Sequence, residues 1–384
     1  MAPSLLQPLR EAADGFWRTT DRATLGAPHV RDALDQKRVM ALILVALTPA
    51  VCVALWNTGL QANLALAELG EEQVPGWRGA LLAGVGYDPQ SALANLLHGA
   101  LYLLPVTFVA VLVGGVWELL FAAAARRPLY EGLWVTGLAF ALTLPPLVPL
   151  WQVALGISFG VVIGQELFGG YGRHLLNTVL IGRAFLYYAY PDGISGDAVW
   201  VAVDGYSGAT PLAALSAADP IIGMDAIDPS WSDAFLGMIP GSMGETSALA
   251  CAVGAGFLIA TGIASWRVVV SALAGGLAMA ALLYHVGSES SAMFTMPPHW
   301  HLVTGGFAFG VAFLATDPVT SAQTNAGRWI YGLIVGSLAV LLRVTNPGLP
   351  EGVMMSILLA NIFAPLIDWW VEERNIARRA ARHG

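Results

Sequence analysis

Charge is what this chain has least of. Only 11% of its 384 residues are Asp, Glu, Lys or Arg, against 56% hydrophobic, and the mean hydropathy is +0.65. A soluble domain carries roughly 25% charged residues, so an ordinary water-soluble fold is excluded. Also absent is the alternation over about ten residues that marks a membrane β-barrel. Apolar stretches instead run for about 20 residues, enough to cross roughly 30 Å of hydrocarbon as helix. The expected fold class is an all-α integral membrane protein. Cysteine is scarce too: Cys52 and Cys251 both lie in apolar runs and are expected to pack between helices rather than pair or bind metal. There is no CxxC or HExxH spacing, no nucleotide fingerprint and no iron–sulfur cysteine set. The first 38 residues are amphipathic and charged, without the apolar core of a cleavable signal peptide.

About ten spans are predicted, at 39–60, 99–124, 132–150, 152–168, 175–190, 246–265, 268–286, 300–315, 329–345 and 352–370. Cations favour the cytoplasmic side, and their positions orient the chain. With the N-terminus inside, Arg10, Arg18, Arg22, Arg31, Lys37 and Arg38 fall in the cytoplasm. So do Arg126, Arg127, Arg173, Arg267, Arg328, Arg374, Arg378, Arg379 and Arg382. Arg78 and Arg343 fall outside, and Arg183 lies within a span. Both termini are therefore expected in the cytoplasm. The expected units are a cytoplasmic segment 1–38, a membrane half 39–190, an outer loop 191–245, a second membrane half 246–370 and a basic tail 371–384.

Between Ala184 and Trp266 there is no Lys or Arg, while the loop 191–245 carries Asp192, Asp197, Asp204, Asp219, Asp225, Asp228, Asp233 and Glu245. By the same rule this loop belongs outside, and its length exceeds that of a simple connector. Pro145-Pro146 leads to Phe159-Gly160-Val161, as Pro297-Pro298 leads to Phe309-Gly310-Val311. With five spans on each side of the loop, this echo suggests an inverted five-helix repeat around a central site. Gly156, Gly160 and Gly164, like Gly306 and Gly310, have the spacing that lets helix backbones approach in lipid.

Within the loop, Asp204-Gly205-Tyr206-Ser207-Gly208-Ala209-Thr210-Pro211 reads as a turn. Gly205 and Gly208 permit positive φ, and Pro211 restricts the chain at Thr210. Small neighbours leave the Thr210 hydroxyl open. An ordinary Ser/Gly turn explains the same residues.

The stretch Asp-x-x-Ser-Gly-Ala-Thr also resembles the motif at which a transferase joins FMN to threonine through a phosphodiester. The rest of the chain is similar to the NqrB/RnfD family, whose members are membrane subunits of sodium-translocating NADH:quinone oxidoreductases and of Rnf complexes. The resemblance runs through His29-Val30-Arg31-Asp32 with Lys37-Arg38, Gly114-Gly115-Val116-Trp117-Glu118, Gly182-Arg183-Ala184-Phe185 and Ile239-Pro240-Gly241-Ser242. It continues through Gly305-Gly306-Phe307-Ala308-Phe309-Gly310, Ala315-Thr316-Asp317-Pro318, Asn346-Pro347, Pro350-Glu351-Gly352 and Glu373-Arg374-Asn375-Ile376.

The resemblance implies covalent FMN on Thr210, with Asp204, Ser207, Gly208 and Ala209 as the motif around it. Thr210 would then anchor the cofactor and not catalyse. It implies a riboflavin touched by Asn177, whose amide could equally make an interhelical contact. Asn is expected where the chain has His174, and Pro where it has Thr178. Gly114 and Gly115 are implied near a quinone, although helix packing accounts for them as well. Electrons would pass from FMN through riboflavin to quinone, coupled to export of Na+ or protons across a bacterial inner membrane. The implied partners are the other subunits of the complex, a flavin transferase, quinone and the bilayer; nucleic acid is not among them. NADH oxidation falls to other subunits.

Glu118 and Asp368 sit toward the inner ends of their spans. Intramembrane carboxylates are costly, so an ion path is the functional reading. Solvation at the interface, or pairing with Arg126, Arg127 or Arg374, is the alternative. Asp317 and Glu166 are weaker candidates. His299 and His301 flank Trp300 and are expected to anchor at the interface rather than bind metal. Two rivals remain: an RnfD-type subunit working with ferredoxin, and a solute channel or transporter with no flavin.

Overall fold

The computed structural model describes residues 36–71, 74, 76–127, 129, 132–346 and 348–383. Arg10, Arg18, Arg22, the stretch His29–Asp32, nearly all of the segment 1–38, and Pro347 lie outside the described residues. Among the described residues there is no strand. The main helices are α1 (Gln36–Leu69), α2 (Ala92–Ala125), α3 (Leu133–Leu142), α4 (Leu150–Phe159), α5 (Thr178–Ala189), α6 (Pro211–Ala217), α7 (Trp231–Leu236), α8 (Ala248–Ala260), α9 (Trp266–Val286), α10 (Asn325–Thr345) and α11 (Val353–His383).

Among the described residues, six helical stretches are long and apolar enough to cross a membrane: Gln36–Leu69, Ala92–Ala125, Leu150–Phe168, Trp266–Val286, Asn325–Thr345 and Val353–Arg382. Each coincides with an expected span. The other four expected spans are short or broken. Helices α3, α5 and α8 have 10, 12 and 13 residues. At 1.5 Å per residue, α3 covers about 15 Å, half the hydrocarbon thickness. The stretch 300–315 is split into Trp300–Val303, Phe307–Phe309 and a π-helical turn Gly310–Leu314, with Gly305 and Gly306 at φ of 60° and 67° between them.

Helix α2 shows the membrane pattern most plainly. Leu104, Phe108, Leu112, Val116 and Leu120 recur every four residues and all are exposed. The opposite stripe, Val106, Ala110, Gly114, Glu118 and Ala122, is buried. Large apolar side chains point outward and small or polar ones inward, the reverse of a soluble amphipathic helix. Helices α1 and α2 outrun their predicted spans because polar residues pair at their ends. Asn63 donates to Asn95 at 2.7 Å, and His98 Nδ1 lies 2.7 Å from Asn63 Oδ1. A Cβ on Gly59 would come within 1.9 Å of the Asn95 carbonyl, and one on Gly99 within 1.9 Å of the Leu55 carbonyl. Backbone contact there requires glycine.

The two Phe-Gly-Val echoes land on the two π-helical turns, Gly160–Gln165 and Gly310–Leu314. They pair the fourth predicted span with the eighth, whereas a five-plus-five repeat pairs the third with the eighth. Val135-Thr136-Gly137 and Val303-Thr304-Gly305 make that second pairing. Cys251 is buried as expected, but Cys52 is exposed on α1 and does not pack between helices. Both thiols are free.

Candidate functional site

The loop 191–245 is folded against the helix ends, not extended from them. Val201, Ala202 and Val203 are buried against Ala62, Ala65 and Leu66 of α1 and Tyr102 of α2. Tyr206 donates to Glu68 at 2.8 Å, and that bond holds the Tyr206 phenol above its ordinary pKa. Gly205 takes a φ of 82°, as its place in a turn requires. Gly208 does not adopt positive φ. It is needed because a Cβ would meet Val201 at 2.9 Å and the Tyr206 ring at 3.1 Å.

These contacts bring the chain to Thr210, which is extended (φ −68°, ψ 154°) and caps α6, with Pro211 at the first helical position. Thr210 Oγ1 accepts from Ala213 N at 3.2 Å. Two cavities open beside Thr210. One, of about 550 Å³, is lined by Arg183, Tyr187, Trp200, Glu351, Met354 and Met355 among others. The second, of about 320 Å³, is lined by Ser242, Glu245, Thr246, Gly305 and Gly306. Asp204 and Ser207 of the motif are exposed.

Between the two cavities lies a buried charge cluster. Arg183 Nη1 donates to Glu245 at 2.7 Å, and Nη2 to Ser242 at 3.1 Å and Glu351 at 2.5 Å. Arg343, assigned by the sequence to the outer end of its span, is fully buried in the fold and donates to the carbonyls of His301, Thr304, Gly305 and Glu351 at 2.8–3.4 Å. His301 is also buried, at 1% exposed, so it does not anchor at an interface; His299 is exposed beside Trp231. Sequence reasoning missed this cluster, counting Glu245 among the loop acids. The signal was present: Arg183 is a cation within a span, and such a charge demands partners.

At the opposite end of α5 is a third cavity, of about 630 Å³. Its wall includes Thr136, Tyr171, His174, Asn177, Thr178 and Asp317. Asn177 caps α5, its Oδ1 accepting from Val179 N at 3.0 Å, and its Nδ2 donates to the Leu314 carbonyl at 3.4 Å. His174 and Thr178, where the resemblance leads one to expect Asn and Pro, both lie in this wall. His174 Nδ1 and Thr178 Oγ1 are buried without hydrogen-bond partners. His174 Nε2 is 3.8 Å from Asp317.

Glu118 is 3% exposed, which removes solvation at the interface as its explanation. It accepts from Gln165, at the end of the π-helical turn, at 2.9 Å. Gln165 also reaches Glu166 at 3.3 Å, and Arg127 bonds to Glu166. Asp368 is placed differently. Its carboxylate accepts from Gln323 N at 2.6 Å, Thr324 N at 2.9 Å and Thr324 Oγ1 at 2.5 Å, bracing the start of α10. Arg374 stacks over Trp370 at 4.7 Å. Gly114 and Gly115 make room for Leu133 of α3, which a Cβ on either would meet at 2.9–3.0 Å. Among the described residues no group of three His, Cys, Asp or Glu side chains could hold a metal.

The NQR2, RnfD, RnfE family profile matches residues 23–377. The chain is 51% identical to a protein of Pseudomonas paraeruginosa named as a subunit of Na(+)-translocating NADH-quinone reductase, over 98% of this chain and 94% of that one. Proteins of the same name from Azotobacter vinelandii and Neisseria meningitidis are 50% and 48% identical. The alignments cover 98% and 97% of this chain, and 94% and 93% of the relatives. Nearly every element that builds the three cavities falls inside the matched range, and the chain belongs to the NQR2, RnfD, RnfE family.

Proposed function

We propose that this chain is the flavin-bearing membrane subunit of a sodium-translocating NADH:quinone oxidoreductase in a bacterial inner membrane, acting with the other subunits of that complex. The names and coverage of its relatives support the subunit role. Both termini lie in the cytoplasm in this reading, and the Thr210 end faces outward. The short helices α3, α5 and α8 and the broken stretch 300–315 complete a ten-span topology. Non-helical backbone at membrane depth is tolerated where it lines a cavity, and these breaks do line cavities. Thr136 lines the inner cavity and Gly305, next to the Thr304 that matches Thr136, lines the outer one, which supports two halves of opposite direction.

The observation that carries the proposal is the position of Thr210, where an exposed motif meets a cavity leading to the core. A transferase would reach Asp204 and Ser207 from solvent and transfer the FMN moiety of a flavin dinucleotide to the threonine oxygen, the pyrophosphate bond breaking, the nucleoside monophosphate leaving and the hydroxyl proton being lost. That oxygen already acts as an acceptor toward Ala213 N, a role that esterification leaves in place. The residues suit a flat cofactor: aromatic and methionine walls, with a few polar groups, are the usual build of such a site.

Riboflavin belongs in the inner cavity, where the unpartnered His174 Nδ1 and Thr178 Oγ1 offer polar contacts in place of the family's pattern. Helix α5 links the sites. From Asn177 in one wall to Tyr187 in the other is ten residues, about 15 Å of helix. A bound flavin supplies the redox chemistry; the chain holds each ring and excludes water. The quinone approaches the half-buried Gly115 from the lipid side, beside Leu133. Of the two carboxylates, Glu118 is the better cation ligand, because the oxygens of Asp368 are already taken.

The test is to co-express the chain with its flavin transferase and look for flavin fluorescence in a denaturing gel. A fluorescent band is expected, and Thr210→Val should abolish it. A band that survives the substitution, or no band at all, overturns the anchor.

A further inference from the structure

Trp200 is 6% exposed, and its indole Nε1 has no hydrogen-bond partner. Unmet buried donors are costly and uncommon in native folds, so each one asks for an explanation. Trp200 lines the same 550 Å³ cavity as Thr210, Tyr187, Met354 and Met355. The other polar groups of that wall are engaged. Arg183 is committed to Glu245, Ser242 and Glu351, and the Tyr187 hydroxyl donates to the Gly348 carbonyl. Other unpartnered atoms at this end, among them Glu245 Oε2, Thr246 Oγ1, His301 Nδ1 and Arg343 Nε, belong to residues that do not line the larger cavity.

A ligand that fits this wall is flat, apolar over most of its face and bears acceptors at one edge. An isoalloxazine ring has that form, with carbonyl oxygens and unprotonated nitrogens on its pyrimidine side. Resting on the reading of Thr210 as the FMN anchor, we propose that Trp200 donates a hydrogen bond to the pyrimidine edge of that flavin. The ring sits in the larger cavity among Tyr187, Met354 and Met355, and thioether sulfurs pack well against aromatic edges. Reduction adds electron density to the ring acceptors, so the bond is stronger to the reduced form and raises the flavin's potential. Trp200 is thus a positioning and tuning residue, and its side chain carries no electron in this scheme.

The experiment is a redox titration of the full-length chain co-expressed with flavin transferase, from which the Thr210→Val titration is subtracted to isolate the covalent flavin. In Trp200→Phe the fluorescent gel band should remain. Its oxidised-to-reduced equilibrium should shift about tenfold toward the oxidised form, about 30 mV lower for a two-electron couple. A retained band with an unchanged potential overturns the role of Trp200 and leaves the anchor standing. A missing band in the unsubstituted protein defeats the anchor itself. Should the Phe substitution prevent accumulation, the unsubstituted protein carrying 15N in its indoles serves instead. Its reduced-minus-oxidised infrared spectrum should show a label-sensitive indole N–H band that Thr210→Val lacks, and the absence of that band overturns the proposal.

Discussion

The two ends of the molecule each bury a hydrogen-bonded charge cluster, and the two are balanced differently. At the Thr210 end, Arg183 and Arg343 stand against Glu245 and Glu351, and every charge is met by an opposite charge or by several carbonyls. At the other end the bonded cluster holds two carboxylates, Glu118 and Glu166, with the guanidinium of Arg127 on Glu166. Glu118 is met there by a neutral amide. A balanced cluster locks helices together, whereas a buried acid facing an amide has coordination to offer a passing cation. The same residue types are thus paired off at one end and, in the function proposed above, serve transport at the other.

The largest effect is expected where the balance is broken. Arg183→Met leaves Glu245 and Glu351 without their shared partner, and removing one member of a buried pair costs about 3–5 kcal/mol. Thermal unfolding of the purified chain in detergent measures it. Adding Glu245→Gln to Arg183→Met removes one stranded charge and should recover part of the loss. If Arg183→Met costs under about 1 kcal/mol, the cluster is not a lock and the contrast between the ends fails.

Glu118→Gln tests the other side of the comparison. Gln keeps the size of the side chain and can still bond to Gln165, so folding should be nearly unaffected. Turnover of the assembled complex should need about tenfold more sodium, equivalent to about 1.4 kcal/mol of cation binding. Unchanged sodium dependence would assign Glu118 to helix packing and make the two clusters alike in purpose.

Much of this was legible in the chain itself. Hydropathy located all six long helices, because lipid demands continuous apolar length. It overstated the regularity of 132–150 and 300–315. Apolar composition cannot tell a full span from a short helix followed by Pro145-Pro146, or from a run interrupted at Gly305-Gly306. The turn at Gly205 was readable from the residues and Pro211 announced the extended Thr210, whereas the FMN motif was read only through the resemblance. Trp200 was not readable, since an indole in an apolar stretch looks like packing until its unpartnered nitrogen is seen beside a cavity. The Arg183 cluster was readable only in part. One member was visible as a cation in a span, but Glu245 and Glu351 lie 62 and 168 residues away, and only the fold brings them together.

The smallest expected effect belongs to Asp368, and it sharpens the comparison most finely. Its carboxylate accepts two backbone N–H groups and the Thr324 hydroxyl at the start of α10. A Cβ at Gly327 would lie 2.4 Å from Asp368 Oδ1, so the helix start is shaped to admit the acid. Such capping is worth about 1 kcal/mol. Asp368→Ala should therefore lower stability by about that amount. Asp368→Asn retains an acceptor oxygen and should lose less. If Asp368 braces the helix, both variants keep their sodium dependence once assembled, and the two intramembrane acids part company: Glu118 acts on the ion and Asp368 on the backbone. If Asp368→Asn, with its fold intact, shifts the sodium requirement as far as Glu118→Gln does, hydrogen-bond saturation does not prevent a carboxylate from serving a cation here. The distinction drawn between the two acids would then have to rest on something other than their free lone pairs.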